Sequence, residues 1–277
     1  MLEHIKALLK QENIDLIATL SLEECKIKRP YLLERAGISH GSVIIFAVPY
    51  MSRNAMQGRN VSLYAVPRDY HLYFADLFNR ILPALKETYP ENKFAAFTDH
   101  SPIDEISAAA LSGLGVIGKN HLLITKKYSS LVFLGEIITD AALPSSASKA
   151  DLCIGCNKCI DACPVGTDRL RCLSSLTQKK GELSEDEKKL IKDSGCVWGC
   201  DICQEVCPYT KAALEDGTIF SQIEFFNSEL TPYITSDGIL SLSDDDFSLR
   251  AYSWRGRDTV MRNILISECE ERNGENE

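Results

Sequence analysis

Residues 151–164 read DLCIGCNKCIDACP and place Cys153, Cys156, Cys159 and Cys163 in the pattern C-x₂-C-x₂-C-x₃-C-P. This is the bacterial iron–sulfur run. A tight loop lets three sulfurs converge on one face of a [4Fe–4S] cube, the proline ends the loop, and in two-cluster proteins the fourth cysteine serves the other cube. Residues 199–208, GCDICQEVCP, add Cys200, Cys203 and Cys207 as C-x₂-C-x₃-C-P, one cysteine short of the full pattern. Two cubes take eight thiolates and the two runs supply seven, so Cys172 or Cys196 is the eighth. Crossed ligation puts Cys153, Cys156, Cys159 and Cys207 on one cluster. Cys163, Cys200 and Cys203, with one of the two candidates, hold the other.

The chain has eleven cysteines, of which nine lie between Cys153 and Cys207, with Cys25 and Cys269 alone at the flanks. Such crowding marks ligands rather than scattered disulfides. A pair of zinc sites would also use C-x₂-C knuckles, but the Cys-Pro endings fit iron–sulfur better. The N-terminus, MLEHIKALLKQEN, carries Glu3, His4, Lys6 and Lys10 where a secretory signal needs an apolar run. No stretch approaches the ~18 apolar residues of a membrane span. A soluble, reducing, cytoplasmic setting without a membrane partner is the expectation. The balance of 30 basic against 39 acidic side chains, net charge −9, excludes indiscriminate nucleic-acid binding driven by charge. With 45% hydrophobic and 25% charged residues, the chain is not natively unfolded.

Outside the cysteine run, helical and extended patterns alternate. Ile5, Leu8, Leu9 and Ile14 have approximate helical spacing, and DLIATLSL follows as a strand. SVIIFAVPY, Ser42 to Tyr50, is an apolar β-branched run closed by Pro49 and reads as a buried strand. Leu72, Phe74, Leu77, Phe78, Ile81 and Leu85 recur at helical spacing over His71–Leu85. KFAAFTD predicts a strand ending at Asp99, with Ser101 as N-cap and Pro102 opening a helix that runs to Gly113. LLITKKYSSLVFLGEIITD predicts two strands joined by the Lys-Lys-Tyr-Ser-Ser turn. The expected class is therefore α/β, or α+β, in three segments: 1–145 an α/β domain, 146–215 a ferredoxin-like two-[4Fe–4S] module, and 216–277 a segment packing on the core with a frayed tail, with a small, polar linker or surface loop at 141–150 just ahead of the cysteines. Two clusters imply electron transfer, and the α/β half must receive the electrons.

Several runs ahead of and within the cysteine module come in a shared order: YAVPRDYH (Tyr64–His71), DHSPIDE (Asp99–Glu105), GLGVIGKNHLLI (Gly113–Ile124), FLGEIITD (Phe133–Asp140), RCLSSLTQKKG and GCDICQEVCP. In this order, from about residue 25 to 265, the chain resembles the epoxyqueuosine reductases. The resemblance implies a cobalamin-binding α/β domain related to reductive dehalogenases, fused to two [4Fe–4S] clusters, in an oxidoreductase of queuosine biosynthesis. It removes the epoxide oxygen of epoxyqueuosine in tRNA, fed by an external low-potential electron donor. A related corrinoid reductase with another substrate, or a ferredoxin-type electron carrier, would share parts of this pattern.

The resemblance also implies residue roles. Cys172 becomes the eighth cluster ligand, and Asp99 the proton donor, which requires a carboxyl whose pKa is raised by a dry site. Cobalamin is expected near Ser62, Tyr70, Asp99, Leu123, Leu134, Ile137 and Lys179, with the glycines of GLGVIGKN letting backbone approach the macrocycle. Arg255, Arg257 and Arg262 are candidates for phosphate contact or for a solvated helix face. The chain ends at Glu277 without the helical-repeat region that many members carry.

Overall fold

A run that is apolar from end to end, as Ser42–Pro49 is, belongs where both faces of a sheet are covered. The computed structural model, which describes the chain except residues 57, 147–151, 167–171 and 269–277, places it there, with all eight residues buried. The first half contains α1 (Leu2–Gln11), β1 (Leu16–Ser21), α2 (Pro30–Ala36), β2 (Ser42–Pro49), α3 (Tyr70–Thr88), β3 (Phe94–Phe97), α4 (Glu105–Leu111), β4 (Val116–Ile117), β5 (Leu123–Ile124) and β6 (Val132–Thr139). The second half is helical: α5 (Lys158–Asp161), α6 (Leu173–Thr177), α7 (Glu185–Ser194), α8 (Ile202–Glu205), α9 (Pro208–Glu215), α10 (Ser236–Ser241), α11 (Asp244–Ser248) and α12 (Arg257–Glu268).

The chain forms two compact units. One comprises Met1–Tyr50, His71–Asn157 and Cys207–Ile223; the other comprises Met51–Tyr70, Lys158–Val206 and Glu224–Glu277. These cut across the expected segments 1–145, 146–215 and 216–277. Residues 51–70 join the second unit, and residues 207–223 join the first. The expectation of a frayed tail falls on residues outside the described ones.

In the first unit the sheet order is β1-β2-β6-β3 and every pairing is antiparallel. Alternation along β2 and β6 sorts side chains to two faces. Val43, Ile45, Ala47 and Ile138 share a core with Ala108 and Ala109 of α4, and with Leu33, Ile103, Leu114 and Leu123. On the opposite face Phe46 stacks on Phe74 of α3, ring centroids 6.3 Å apart. Each fully buried large side chain here contributes about 1.5–3 kcal/mol of transfer free energy.

Three local expectations are corrected. Helix α4 begins at Glu105, not Pro102, and its N-cap is Asp104, whose carboxylate accepts from Ser107 N–H at 3.3 Å. The reason is that the Pro102 carbonyl is taken by the Lys28 and Arg29 N–H groups, at 2.8 and 3.0 Å, so residues 101–103 run beside the 27–29 segment. Strand β5 pairs with β4, not with β6, although Thr125 and Ser129 do close the predicted turn. The start of the expected linker is part of the fold: Thr19 Oγ1 donates to Pro144 O at 2.7 Å and Ser146 N–H to Thr19 O at 2.7 Å. The rest of that linker, 147–150, lies outside the described residues.

The second unit packs small helices around Trp198, which is fully buried, donates its indole N–H to Tyr64 Oη at 2.9 Å, and meets Tyr252 edge-on. The charged stretch after Ser184 is helical, because Ser184 and Glu187 form a reciprocal capping box and Gly195 ends the helix in the left-handed region. Leu173, Leu183 and Ile191 supply its local core. Among the described residues no helix is long and apolar enough to cross a membrane.

Candidate active site

Strand β3 stops at Phe97, and Thr98 turns its hydroxyl onto the Leu134 carbonyl of β6 at 2.7 Å. Asp99 follows at φ 59°, and the His100 N–H reaches back to Thr98 O at 2.6 Å. A three-residue turn with positive central φ is strained, costing on the order of 1–3 kcal/mol for a side chain other than glycine. It persists because its surroundings hold it. Glu105 Oε1 accepts the Asp99 N–H at 3.0 Å, Arg29 Nη1 donates to Ser101 O at 2.9 Å, and Tyr31 Oη pairs with His100 Nε2 at 2.8 Å.

The Asp99 side chain points outward, 68% exposed, with His71 Nε2 at 3.6 Å from Oδ2. The His71 imidazole holds the Asp99 carboxyl below the usual carboxylate range against partial burial, and Arg29 and His100 add to the effect. The dry, raised carboxylic acid expected from the sequence is therefore absent. What stands there is a carboxylate at neutral pH beside an imidazole that can carry the proton.

The residues expected around cobalamin fall in both units. In the first unit, Leu134 is half-buried on β6 beside the Asp99 turn, and Leu123 shares the core against which Leu134 packs. Ile137 is fully buried and, by alternation, faces the other side of the sheet from Leu134. In the second unit, Ser62 is buried and donates to Asp201 Oδ1 at 2.6 Å, Tyr70 opens α3 half-buried, and Lys179 pairs with Glu187 at 2.8 Å. The glycines of GLGVIGKN have a local reason: a Cβ on Gly115 would fall 2.4 Å from Ile124 O, and one on Gly118 2.6 Å from the Ile124 side chain. They let β4 and β5 close on each other.

Cys153, Cys156 and Cys207 lie in the first unit; Cys159, Cys163, Cys172, Cys196, Cys200 and Cys203 lie in the second. Burial first, then the charges of Asp201, Cys172 and Cys163, together raise the Cys200 thiol to about 11 against the lowering effect of the Ile202 backbone. Burial likewise pushes Cys203 up to about 12, with Cys200, Cys172, Cys163 and Cys159 adding. Thiols gathered where burial and mutual repulsion oppose ionisation form a donor set that a cationic cluster completes. Cys196 is differently placed: its Sγ turns to the Trp198 and Gly199 carbonyls at 3.4 and 3.3 Å. The charge of Cys172 acts on both Cys200 and Cys203, and Cys196 also stands beside Cys200.

The arginines of the last segment serve the fold. Arg257 donates to the carbonyls of Ile239, Leu242 and Ser243, at 2.5, 2.8 and 2.8 Å. Arg262 donates to Lys179 O at 2.8 Å and to Asn263. Arg255 lies over the exposed Trp254 ring, 3.8 Å from its centroid.

Three residues at the Asp99 turn had no role in the sequence reading, though all sit inside quoted motifs: His71 in YAVPRDYH, Glu105 in DHSPIDE and Glu136 in FLGEIITD. The signal for Glu136 is a carboxyl in the middle of an otherwise apolar strand. It is fully buried, and its pKa is pushed well above the usual range by burial and by the Glu105 charge.

A family model described as the 4Fe-4S double cluster binding domain matches residues 152–210, and one described as epoxyqueuosine reductase QueG, DUF1730, matches residues 36–100. The epoxyqueuosine reductase of Lactococcus garvieae (strain Lg2) is 32% identical over 214 residues, 72% of this chain and 58% of that protein. This chain thus spans little more than half the length of that relative. A crystal structure of epoxyqueuosine reductase with a tRNA-Tyr epoxyqueuosine-modified stem loop is alike in fold, TM-score 0.76 at 23% identity, over 96% of this chain and 80% of that one. The epoxyqueuosine reductase of Gloeobacter violaceus is 32% identical over 219 residues, 74% of this chain and 68% of that protein. With that identity over more than two thirds of a relative's length, and with the iron–sulfur cysteine pattern in place, the chain belongs to the epoxyqueuosine reductase family.

Proposed function

We propose that this chain reduces epoxyqueuosine to queuosine in tRNA, with Asp99 and His71 delivering a proton to the departing epoxide oxygen. Removing that oxygen consumes two electrons and two protons and yields an alkene and water. The observation that carries the reading is the His71–Asp99 pair, 3.6 Å apart, on a strained turn at the open end of the sheet. The relative with a modified stem loop bound supports tRNA as the substrate's carrier.

Opening the epoxide builds negative charge on oxygen, so the donor must hold its proton until the carbon–oxygen bond yields. His71 lies beside the exposed carboxylate and can pass a proton to it. Substrate covering the turn removes water, and desolvation then raises the carboxyl and draws the proton onto Asp99, next to the oxygen. The left-handed backbone aims the carboxylate outward, and Thr98, held on Leu134, fixes where it stands.

The surface beside the turn suits a flat apolar cofactor. Phe97 of β3 and Val132 and Leu134 of β6 share one face at this end of the sheet and are half-buried, leaving part of their apolar area uncovered. Leu134 and Asp99 would border cobalamin there. When bound, cobalamin and the two clusters supply the electrons, which come from an external low-potential donor.

The test is an anaerobic assay of protein reconstituted with iron, sulfide and cobalamin, given a strong reductant and epoxyqueuosine-containing tRNA, with digested nucleosides read by mass spectrometry. Cobalamin-dependent loss of one oxygen supports the proposal. No conversion by fully loaded protein transfers the chemistry to another substrate. Asp99→Asn should abolish turnover while iron content and cobalamin binding persist.

A further inference from the structure

The Asp99 turn is held from beneath by a pair of acids that the proposed chemistry does not use. Glu136 sits on β6, across from Ile45 of β2 and Phe97 of β3. Its neighbours on that face are apolar, it has no exposure, and neither carboxyl oxygen has a strict hydrogen-bond partner among the described residues. Glu105, the first residue of α4, faces it and accepts the Asp99 N–H at 3.0 Å. The other groups around the pair are the Ser101 hydroxyl, Lys28, Asp99 and the buried Cys25.

Two carboxylates cannot both stay ionised in an apolar core, where mutual repulsion adds to the loss of hydration. Nor does a buried carboxylate persist without donors, whereas a protonated one needs only a neighbour that accepts. Ionised Glu105 is such a neighbour, and it remains free to accept the Asp99 N–H on its other oxygen. A strained turn needs this kind of anchor, because nothing in its own sequence favours positive φ at a residue other than glycine.

We infer that Glu105 is a positioning residue: held beside the buried Glu136, with which it shares a proton, it clamps the backbone N–H that keeps Asp99 in its left-handed turn. The inference deepens the proposed function, since it assigns how the proton donor is aimed. Glu136 touches no substrate and acts only through Glu105.

The experiment uses the full-length, iron-loaded protein with Glu105→Ala, Glu105→Gln and Glu136→Gln. Hydrogen exchange of the segment around residues 98–101 is followed by mass spectrometry. The infrared carbonyl stretch of a protonated carboxyl is sought at neutral pH. Glu105→Ala should speed exchange at the turn at least tenfold, and Glu105→Gln, whose amide oxygen still accepts, should restore protection. Glu136→Gln should remove the protonated-carboxyl band while the turn stays protected, because its amide still donates to Glu105.

In the activity assay Glu105→Ala should lower kcat tenfold or more with little change in KM, a split that general loosening of the fold would not give. Unchanged exchange in Glu105→Ala, or no protonated-carboxyl band in the parent, overturns the inference. Should the parent fail to act on epoxyqueuosine while the exchange and infrared results hold, the proposed substrate falls and the clamp stands.

Discussion

Each unit buries a carboxyl, and the two are solved in opposite ways. Asp201, in the second unit, receives the Ser62 hydroxyl at 2.6 Å, the Leu63 N–H at 2.7 Å and the Gln204 amide at 3.0 Å, with Arg59 at 3.5 Å. Glu136, in the first, has an acid for a neighbour. Burial raises both, but the donors around Asp201 pull back, whereas the charge of Glu105 pushes Glu136 further. Burial alone therefore does not tell what a carboxyl is for. Donors mark a brace, and a second carboxyl marks a proton kept in place.

The widest separation between the two comes from replacing each with leucine. Asp201→Leu removes the shared acceptor of the Ser62 hydroxyl, the Leu63 N–H and the Gln204 amide and leaves Arg59 to Glu205 alone among the acids, and should cost about 3–5 kcal/mol, the usual penalty for breaking a buried charged network. Glu136→Leu removes the proton that Glu105 shares but puts an apolar group into an apolar core, and should cost less, about 1 kcal/mol. Urea unfolding of both variants with clusters intact measures the gap. Equal losses would show that Glu136 also serves as a brace.

The second contrast lies among the cysteines around Asp201. Cys172→Ala should remove the second cluster, roughly half of the bound iron. Cys196→Ala, whose sulfur turns to the carbonyls of Trp198 and Gly199, should leave iron unchanged. Iron determination and the spectrum of the reduced clusters decide it. Loss from Cys196→Ala alone would reverse the ligand choice and put Asp201 next to a different ligand set.

The third is a pH dependence confined to the first unit. Glu136 is raised in the folded protein, so above the unfolded value of about 4.3 the native state binds more protons than the unfolded one, and stability falls as pH rises toward the native value. Glu136→Gln carries no such burden. The stability difference between variant and parent should shift in favour of glutamine as pH climbs from 4 to 7, measured by urea midpoints at each pH. A difference independent of pH would mean that Glu136 is already ionised in the native protein.

The parts of the fold visible in the sequence were those set by pattern. The continuous apolar run of β2, the helical spacing of α3 and the cysteine spacings each follow from local chemistry. What the sequence did not show depends on partners distant along the chain. Ser101-Pro102 has every feature of a helix start, yet Lys28 and Arg29 occupy the Pro102 carbonyl and delay the helix to Glu105. Asp99 was visible as a candidate, but its ionisation was not, because that is decided by His71 and by exposure. Ser62 and Ile137 carry the same lesson: the motif places them, while Asp201 and the sheet core decide what their side chains meet.

The smallest expected effect concerns the turns themselves. Next to Cys200 the second unit uses glycine, Gly199, at φ 74°, where a Cβ would lie 2.4 Å from the Ser62 side chain. The first unit keeps an aspartate at φ 59° and accepts the strain. If that strain is retained for the carboxylate, then relieving it should help the fold while removing the chemistry. Asp99→Gly should be at least as stable as the parent, and Asp99→Ala about 1 kcal/mol less stable than the glycine variant, since alanine meets the left-handed penalty without a carboxylate to pair with His71. Both should lack turnover. Equal stability of the two variants would place the turn outside the left-handed region in solution, and with it would go the clamp by Glu105 as the reason for aspartate at this position.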